Sequence, residues 1–134
     1  MNAKLKEAPC VIGARLDGGD GCAQIPFYVL DSVEFMGLSH PARSLLIEIV
    51  RQYTGNNNGK LLTTGAYLAT RGWKSQDVIT RAKRELIASG LIYETAKGRP
   101  PNKASWYALS WELLDGRPDF DEGAVQAFVM MQDR

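Results

Sequence analysis

Histidine is almost missing from this chain of 134 residues, and cysteine is scarce: His40 stands alone, and Cys10 and Cys22 lie well upstream of it. A zinc site needs four closely spaced sulfur or nitrogen ligands, which this supply does not provide. Both cysteines are read as free thiols, as in a reducing compartment. Long apolar runs are also lacking. No segment reaches the roughly 18 consecutive apolar residues of a membrane span, and Met1–Pro9 has no apolar core of a secretion signal. The expectation is a cytoplasmic chain without a membrane partner.

A large net charge is absent too, but the total of +1 hides a segregation. Met1–Leu38 holds three Lys/Arg against five Asp/Glu, and Ser39–Thr70 holds three against one. Arg71–Lys103 holds eight against three, and Ala104–Arg134 two against six. The middle is therefore basic and the C-terminal quarter acidic. Salt confines the reach of an exposed charge to roughly 10 Å, so local density matters more to a polyanion than the total. The length suits one domain with a real core and short appendages.

Several elements are legible from their punctuation. Cys10–Leu16 is a strand candidate before the turn Asp17–Gly21, which would make a hairpin arm or remain disordered. Gln24–Leu30 is a second strand candidate, with Val29, Phe35 and Leu38 over the core. Ser39 is a good N-cap, and Pro41 falls in the first turn, where its missing N–H costs nothing. Ala42, Leu45, Leu46, Ile49, Val50 and Tyr53 then make one buried helical stripe, leaving Arg43, Glu48 and Arg51 outside. Thr54–Gly59 ends this helix, because Gly and Asn tolerate left-handed backbone.

Lys60–Leu62 reads as a short strand, and Thr63 or Thr64 caps a brief helix running to Arg71. Gly72-Trp73-Lys74 breaks the chain before Ser75 caps the next helix, a helix-turn-helix spacing. Steps of 100° put Val78, Ile79, Ala82 and Leu86 on one face of that helix. Gln76, Asp77, Thr80 and Arg84 fall opposite, flanked by Arg81 and Lys83. Gly90 closes the helix, and Leu91–Thr95 and Trp106–Trp111 read as antiparallel strands around the basic, proline-stiffened loop Lys97–Lys103. After the linker Asp115–Asp119, Glu122–Gln132 forms a last helix with apolar Val125, Phe128, Val129 and Met131.

Helix, short strand, helix, turn, helix and a two-stranded hairpin is the winged helix-turn-helix order. The runs Leu38–Arg43, Gly55–Lys60, Arg71–Ser75, Glu85–Ile92 and Trp106–Trp111 resemble the small winged-helix proteins of plasmids, phages and other mobile elements, including DNA-binding portions of replication initiators. The resemblance covers about Ile25–Leu114. It implies an α+β fold, a three-helix core with a two-stranded wing, preceded by an N-terminal arm at 1–24 and followed by an acidic linker and helix at 115–134. It also implies DNA binding through the third helix and the wing. Winged helices serve as protein-protein modules as well, so function does not follow from fold alone.

The residues assigned to a double-stranded DNA site are Lys74, Ser75, Gln76, Asp77, Thr80, Arg81, Lys83 and Arg84, with Lys97, Arg99, Asn102 and Lys103 on the wing. Gln can pair with adenine, Arg with guanine, and Asp can accept from cytosine in a major groove. Arg81 and Lys83 suit phosphates better. Pro100-Pro101 stiffens the wing, so docking orders less chain. A solvated helix face is the plainer alternative for the helix, and the clustered wing cations tip the reading toward nucleic acid. Trp73 and Trp111 read as core aromatics. Trp106, beside the wing and opposite Tyr107 in direction, is the better stacking candidate.

Three decoys fall away. Gly55–Leu61 has one residue too few between its glycines for a phosphate-binding loop, and Leu replaces the required Ser or Thr. His40 has no catalytic partners and reads as a helix-start residue. Asp115, Asp119, Asp121 and Glu122 read as a solvated acidic tail, not a metal site. Neither an enzyme nor a cofactor is expected. The leading expectation is sequence-specific duplex binding by a regulator or accessory replication factor of a mobile element. The runner-up is a protein-interaction module, such as an element-encoded inhibitor of a host system. The last helix needs a surface: this chain's first long helix, or another copy in a two-fold dimer, which is slightly favoured.

Overall fold

The computed structural model of the chain describes residues 11–12, 21–99, 103–115 and 120–132. In chain order these form β1 (Val11–Ile12), β2 (Gly21–Cys22), α1 (Phe27–Leu30), α2 (Val33–Met36), α3 (His40–Gln52), α4 (Gly65–Thr70) and α5 (Gln76–Ser89). They continue with β3 (Ile92–Ala96), β4 (Trp106–Leu109) and α6 (Ala124–Gln132). The class is α+β, with six helices and a two-stranded antiparallel sheet at its centre.

The core is built on α3. Ser39 Oγ accepts from Ala42 N at 3.3 Å, and Pro41 occupies the first turn. The stripe Ala42, Leu45, Leu46, Ile49 and Val50 is buried, as its spacing predicts. α5 packs on α3 through Ile79, Ala82 and Leu86. Gly90, at φ +82°, ends α5 in left-handed backbone that disfavours any residue with a Cβ, and the chain then enters β3, which packs on α5. β3 pairs with β4 in the register Ile92↔Leu109, Tyr93↔Ala108, Glu94↔Tyr107 and Ala96↔Trp106, with an irregularity between Glu94 and Ala96. Leu61 adds a one-residue third strand, exchanging hydrogen bonds of 3.0 and 2.9 Å with Tyr107.

A buried asparagine ties the turn after α3 to this sheet. Asn58 is fully buried; its Oδ1 accepts from Leu109 N at 2.7 Å, and its Nδ2 is shared among the carbonyls of Leu109, Leu113 and Glu112 at 3.1, 3.1 and 3.3 Å. Its own amide donates to Asp115 Oδ2 at 2.6 Å. Such a group is tolerated in a core because all of its polar atoms are satisfied. Next to it, Gly59 (φ +113°) leaves no room for a side chain, since a Cβ there would lie 2.4 Å from Phe120 Cζ.

Several expectations need correction. Gln24–Leu30 is not a strand; Phe27–Leu30 is a single helical turn after Pro26, with only Val29 buried, where an alternating strand would also have buried Phe27. The N-terminal arm is not a hairpin. β1 and β2 run parallel, pairing Val11 with Gly21 and Ile12 with Cys22, and residues 1–10 and 13–20 lie outside the described residues. Cys22 is not a free thiol but disulfide-bonded; the chain's one other cysteine, Cys10, lies outside the described residues.

The last helix begins at Ala124, and its main packing surface within the chain is β3 rather than α3. Phe128 is fully buried against β3, with its ring edge-on to Tyr93 at 6.0 Å and 70°. Val125 and Val129 stay exposed, and Met131 is half-buried. The sheet wins because the helix axis offers one deeply burying aromatic, and the outer face of β3 offers a complementary one. Upstream, Phe120 is buried and meets Trp106 edge-on at 6.2 Å, while Asp121 N donates to Thr95 O at 2.8 Å. Among the described residues, no helix is long and apolar enough to cross a membrane.

Candidate nucleic-acid interface

α4 and α5 are joined by a turn that several local forces fix. Thr64 Oγ1 caps α4, accepting from Tyr67 N at 3.2 Å, and Gly72 at φ +95° lets the chain reverse after Arg71. Trp73 N donates to Leu68 O at 3.0 Å, and its ring packs on the core. The carboxylate of Glu48, on the outer side of α3, reaches the turn twice. It accepts from Arg71 Nε at 2.8 Å and from Trp73 Nε1 at 3.5 Å. The hydrogen bond to Glu48, and then its charge, raise the pKa of Arg71. Glu48 is a positioning residue that sequence reasoning missed; its only signal was an outward place on α3, which says nothing about what lies across from it.

α5 starts at Ser75, whose Oγ accepts from Val78 N at 3.3 Å, so this side chain is committed to capping. Gln76 is exposed but engaged: its Nε2 donates to Thr80 Oγ1 at 3.4 Å, and its Oε1 fills the space beside Gly65, 2.6 Å from where a Cβ would stand. Lys74, Asp77, Arg81 and Arg84 are exposed, and Thr80 and Lys83 are half-buried. The expected outward face therefore exists, although Ser75 and Gln76 have structural duties on it. Glu85, beside Arg84, was not singled out from sequence. It accepts from Ser39 N at 2.9 Å and from Ser39 Oγ at 2.6 Å, joining α5 to the start of α3. These two hydrogen bonds from Ser39 hold the Glu85 carboxyl below its ordinary range.

The loop between β3 and β4 is braced at its base. Arg99 and Lys103 exchange backbone hydrogen bonds of 2.8 and 2.9 Å, and Gly98 N donates to Ser105 Oγ at 2.7 Å. A Cβ on Gly98 would stand 2.7 Å from Lys103 O and Ser105 N, so this position needs glycine. Lys97 N donates to Asp121 Oδ2 at 2.9 Å, linking the loop to the acidic C-terminal segment. Asp121 thus has a specific partner, in contrast to the solvated tail expected. The side chains of Lys97, Arg99 and Lys103 are exposed, while Asn102 and Pro100-Pro101 lie outside the described residues. Among the described residues, no ion pair takes up Lys74, Arg81, Lys83, Arg84, Lys97, Arg99 or Lys103.

The tryptophans divide as their positions suggested. Trp73 and Trp111 are partly buried against the core. Trp106 is half-buried outside it, with Lys60 Nζ 4.8 Å and Lys103 Nζ 5.9 Å from its ring centroid. Away from both cationic groups, a cleft of about 570 Å³ is lined by Tyr28, Ser32, Glu34, Trp111 and Met131 among others. No protein family, curated protein or solved structure matches the chain.

Proposed function

We propose that the chain is a winged helix-turn-helix protein that binds duplex DNA with α5 and the β3–β4 wing, as a regulator or accessory replication factor of a mobile element. The observation that carries this reading is the disposition of the basic segment. Apart from Arg71, which Glu48 holds, its cations have no intramolecular carboxylate partners among the described residues, and they lie on two elements braced by caps and backbone ladders. A rigid, unneutralised cationic surface is what a phosphate backbone rewards, because each contact releases counterions without first breaking an ion pair. Arg84, Asp77 and Gln76 would meet base edges, with Gln76 first giving up its bond to Thr80. Arg81, Lys83 and the wing cations would hold phosphates.

Fluorescence anisotropy on random and native-locus duplexes at several salt concentrations tests this. Neutralising about four to six phosphates should give a slope of log affinity against log salt of roughly −4 to −5. Arg84→Ala should cost about 1–3 kcal/mol on a preferred site and relax one of its positions, whereas wing substitutions should weaken all sequences alike. Absence of any duplex shift at micromolar protein and low salt would sink the reading.

A second reading has its own observation. Phe27, Tyr28, Val33 and Met36 are 82, 68, 75 and 57% exposed on α1 and α2, and the segment 21–38 carries Asp31 and Glu34 but no Lys or Arg. Exposed large apolar side chains in a cluster favour a protein partner. A chain that binds no duplex but loses function on Phe27→Ser and Tyr28→Ser would be such a module.

A further inference from the structure

The cleft of about 570 Å³ between α1, α2 and the end of α6 has one carboxylate, Glu34, and no lysine or arginine among the described residues that line it. Ser89 and Gly90 line it as well, so α5 ends there, and no basic residue in its last turn offsets the negative end of its dipole. Glu34 is exposed and enters no ion pair among the described residues. Arg43, which reaches α2, is committed elsewhere: its Nη2 donates to Met36 O at 2.8 Å, and its guanidinium lies 5.0 Å from the centroid of the Phe35 ring. The walls of the cleft are otherwise largely apolar, with Tyr28, Trp111 and Met131 among them. The two helices that form one wall also hold Phe27, Val33 and Met36 in solvent. Apolar walls around a negative site suit a long cationic side chain, whose methylenes pack on the aromatics while its head meets the carboxylate. Arginine suits such a site better than lysine, because its planar guanidinium both stacks on a ring and pairs bidentately with a carboxylate.

We propose that this cleft receives an arginine side chain from a partner protein, in a segment whose neighbouring apolar residues lie on Phe27, Val33 and Met36. This rests on the reading of α1 and α2 as a protein-docking surface and does not depend on duplex binding. Charge and exposed apolar area together select the occupant. A small free cation would leave the apolar side chains of α1 and α2 uncovered. An anionic lipid surface would meet Asp31 and Glu34 with like charge. A two-fold dimer through this face would bring the same carboxylates of both copies together. A partner that presents arginine among apolar residues has none of these faults.

The test titrates the full chain, without DNA, with the capped peptide Ala-Leu-Arg-Leu-Ala and its counterparts carrying norleucine or glutamate at the centre. The indole N–H resonance of Trp111 is followed; that group is buried without a hydrogen-bond partner, and Trp111→Phe identifies its signal. Peptides this short should bind with Kd on the order of 1 mM. The arginine peptide should bind about threefold more tightly than the norleucine peptide, and the glutamate peptide most weakly. Glu34→Gln should remove the advantage of arginine, and Glu34→Lys should pass it to glutamate. Both variants should fold, since the side chain is exposed. Equal binding of the arginine and norleucine peptides overturns this inference alone and leaves the docking surface standing. No response to any peptide, or a preference for arginine that survives Glu34→Lys, also overturns it, and the docking reading is then judged by Phe27→Ser and Tyr28→Ser. Sedimentation covers the remaining occupant: self-association of the wild-type chain that Glu34→Lys abolishes would place another copy in the cleft and overturn the foreign partner.

Discussion

Two buried polar side chains govern more of this molecule than their number suggests. Asn58 presents its carbonyl to one amide and its NH₂ to three carbonyls, so the direction of the side-chain amide is fixed by its surroundings. Asn58→Ala should lower the stability by about 1–3 kcal/mol, because Leu109 N is left buried without a partner. Asn58→Asp should cost more, since an acceptor then faces the carbonyls of Leu109, Glu112 and Leu113. Urea midpoints for both variants check this, and an aspartate variant as stable as the parent would refute the amide orientation. Tyr107 is the second. Burial, and then the nearby charge of Glu94 and its hydrogen bond with Tyr107 Oη at 3.1 Å, push the phenol from its ordinary value near 10 up to about 12. Folding therefore disfavours its ionisation. The stabilisation is complete below pH 10 and disappears as pH rises through about 12, because the unfolded phenol loses its proton first. Burial raises Tyr53 too, so Tyr107→Phe should shrink the alkaline loss seen by thermal melts between pH 9 and 12 without abolishing it.

Among elements, those whose signals are local were legible. α3 and α5 announce themselves through Ser39 and Ser75 caps, a single apolar stripe each, and Gly90 at the end of α5. β3 and β4 are likewise where the apolar strands were expected, and the outward face of α5 follows from simple helical geometry. What sequence could not convey is partnership across distance. Nothing near Glu48 says that it will clamp Arg71 and Trp73, and nothing near Ser39 says that Glu85 will reach it from 46 residues away. The short α1 misled because Phe27, Tyr28 and Val29 have strand-like side chains, and one turn of helix is too short for periodicity to register. The largest gap was α6, where the apolar group was seen but not its receiver. Its single buried aromatic sets an expectation: Phe128→Ala should destabilise by about 3–5 kcal/mol, because Tyr93 and the outer face of β3 lose their cover. Met130→Ala, on the exposed side of the same helix, should stay within about 0.5 kcal/mol. Comparable effects of the two in denaturant melts would mean that the helix docks through a different face.

For the whole molecule, charge and packing are organised together: an acidic C-terminal segment is fastened to the element that presents part of the basic surface. Asp121 bonds to the main chain at Thr95 and Lys97, and Phe120 braces both Gly59 and Trp106. This fastening matters to the fate of the unliganded protein as well as to binding. The outer side of β3 would otherwise be a bare sheet edge, a ready template for pairing with another chain. Asp121 occupies that edge at Thr95, and Phe128 shields the apolar surface beside it. A chain cut before Phe120 should therefore gather into β-rich aggregates on mild heating, with an amyloid-dye signal that rises with concentration, while the full chain stays dispersed under the same conditions. The same acidic stretch that leaves the protein almost neutral would then act as a safeguard against self-templated polymerisation.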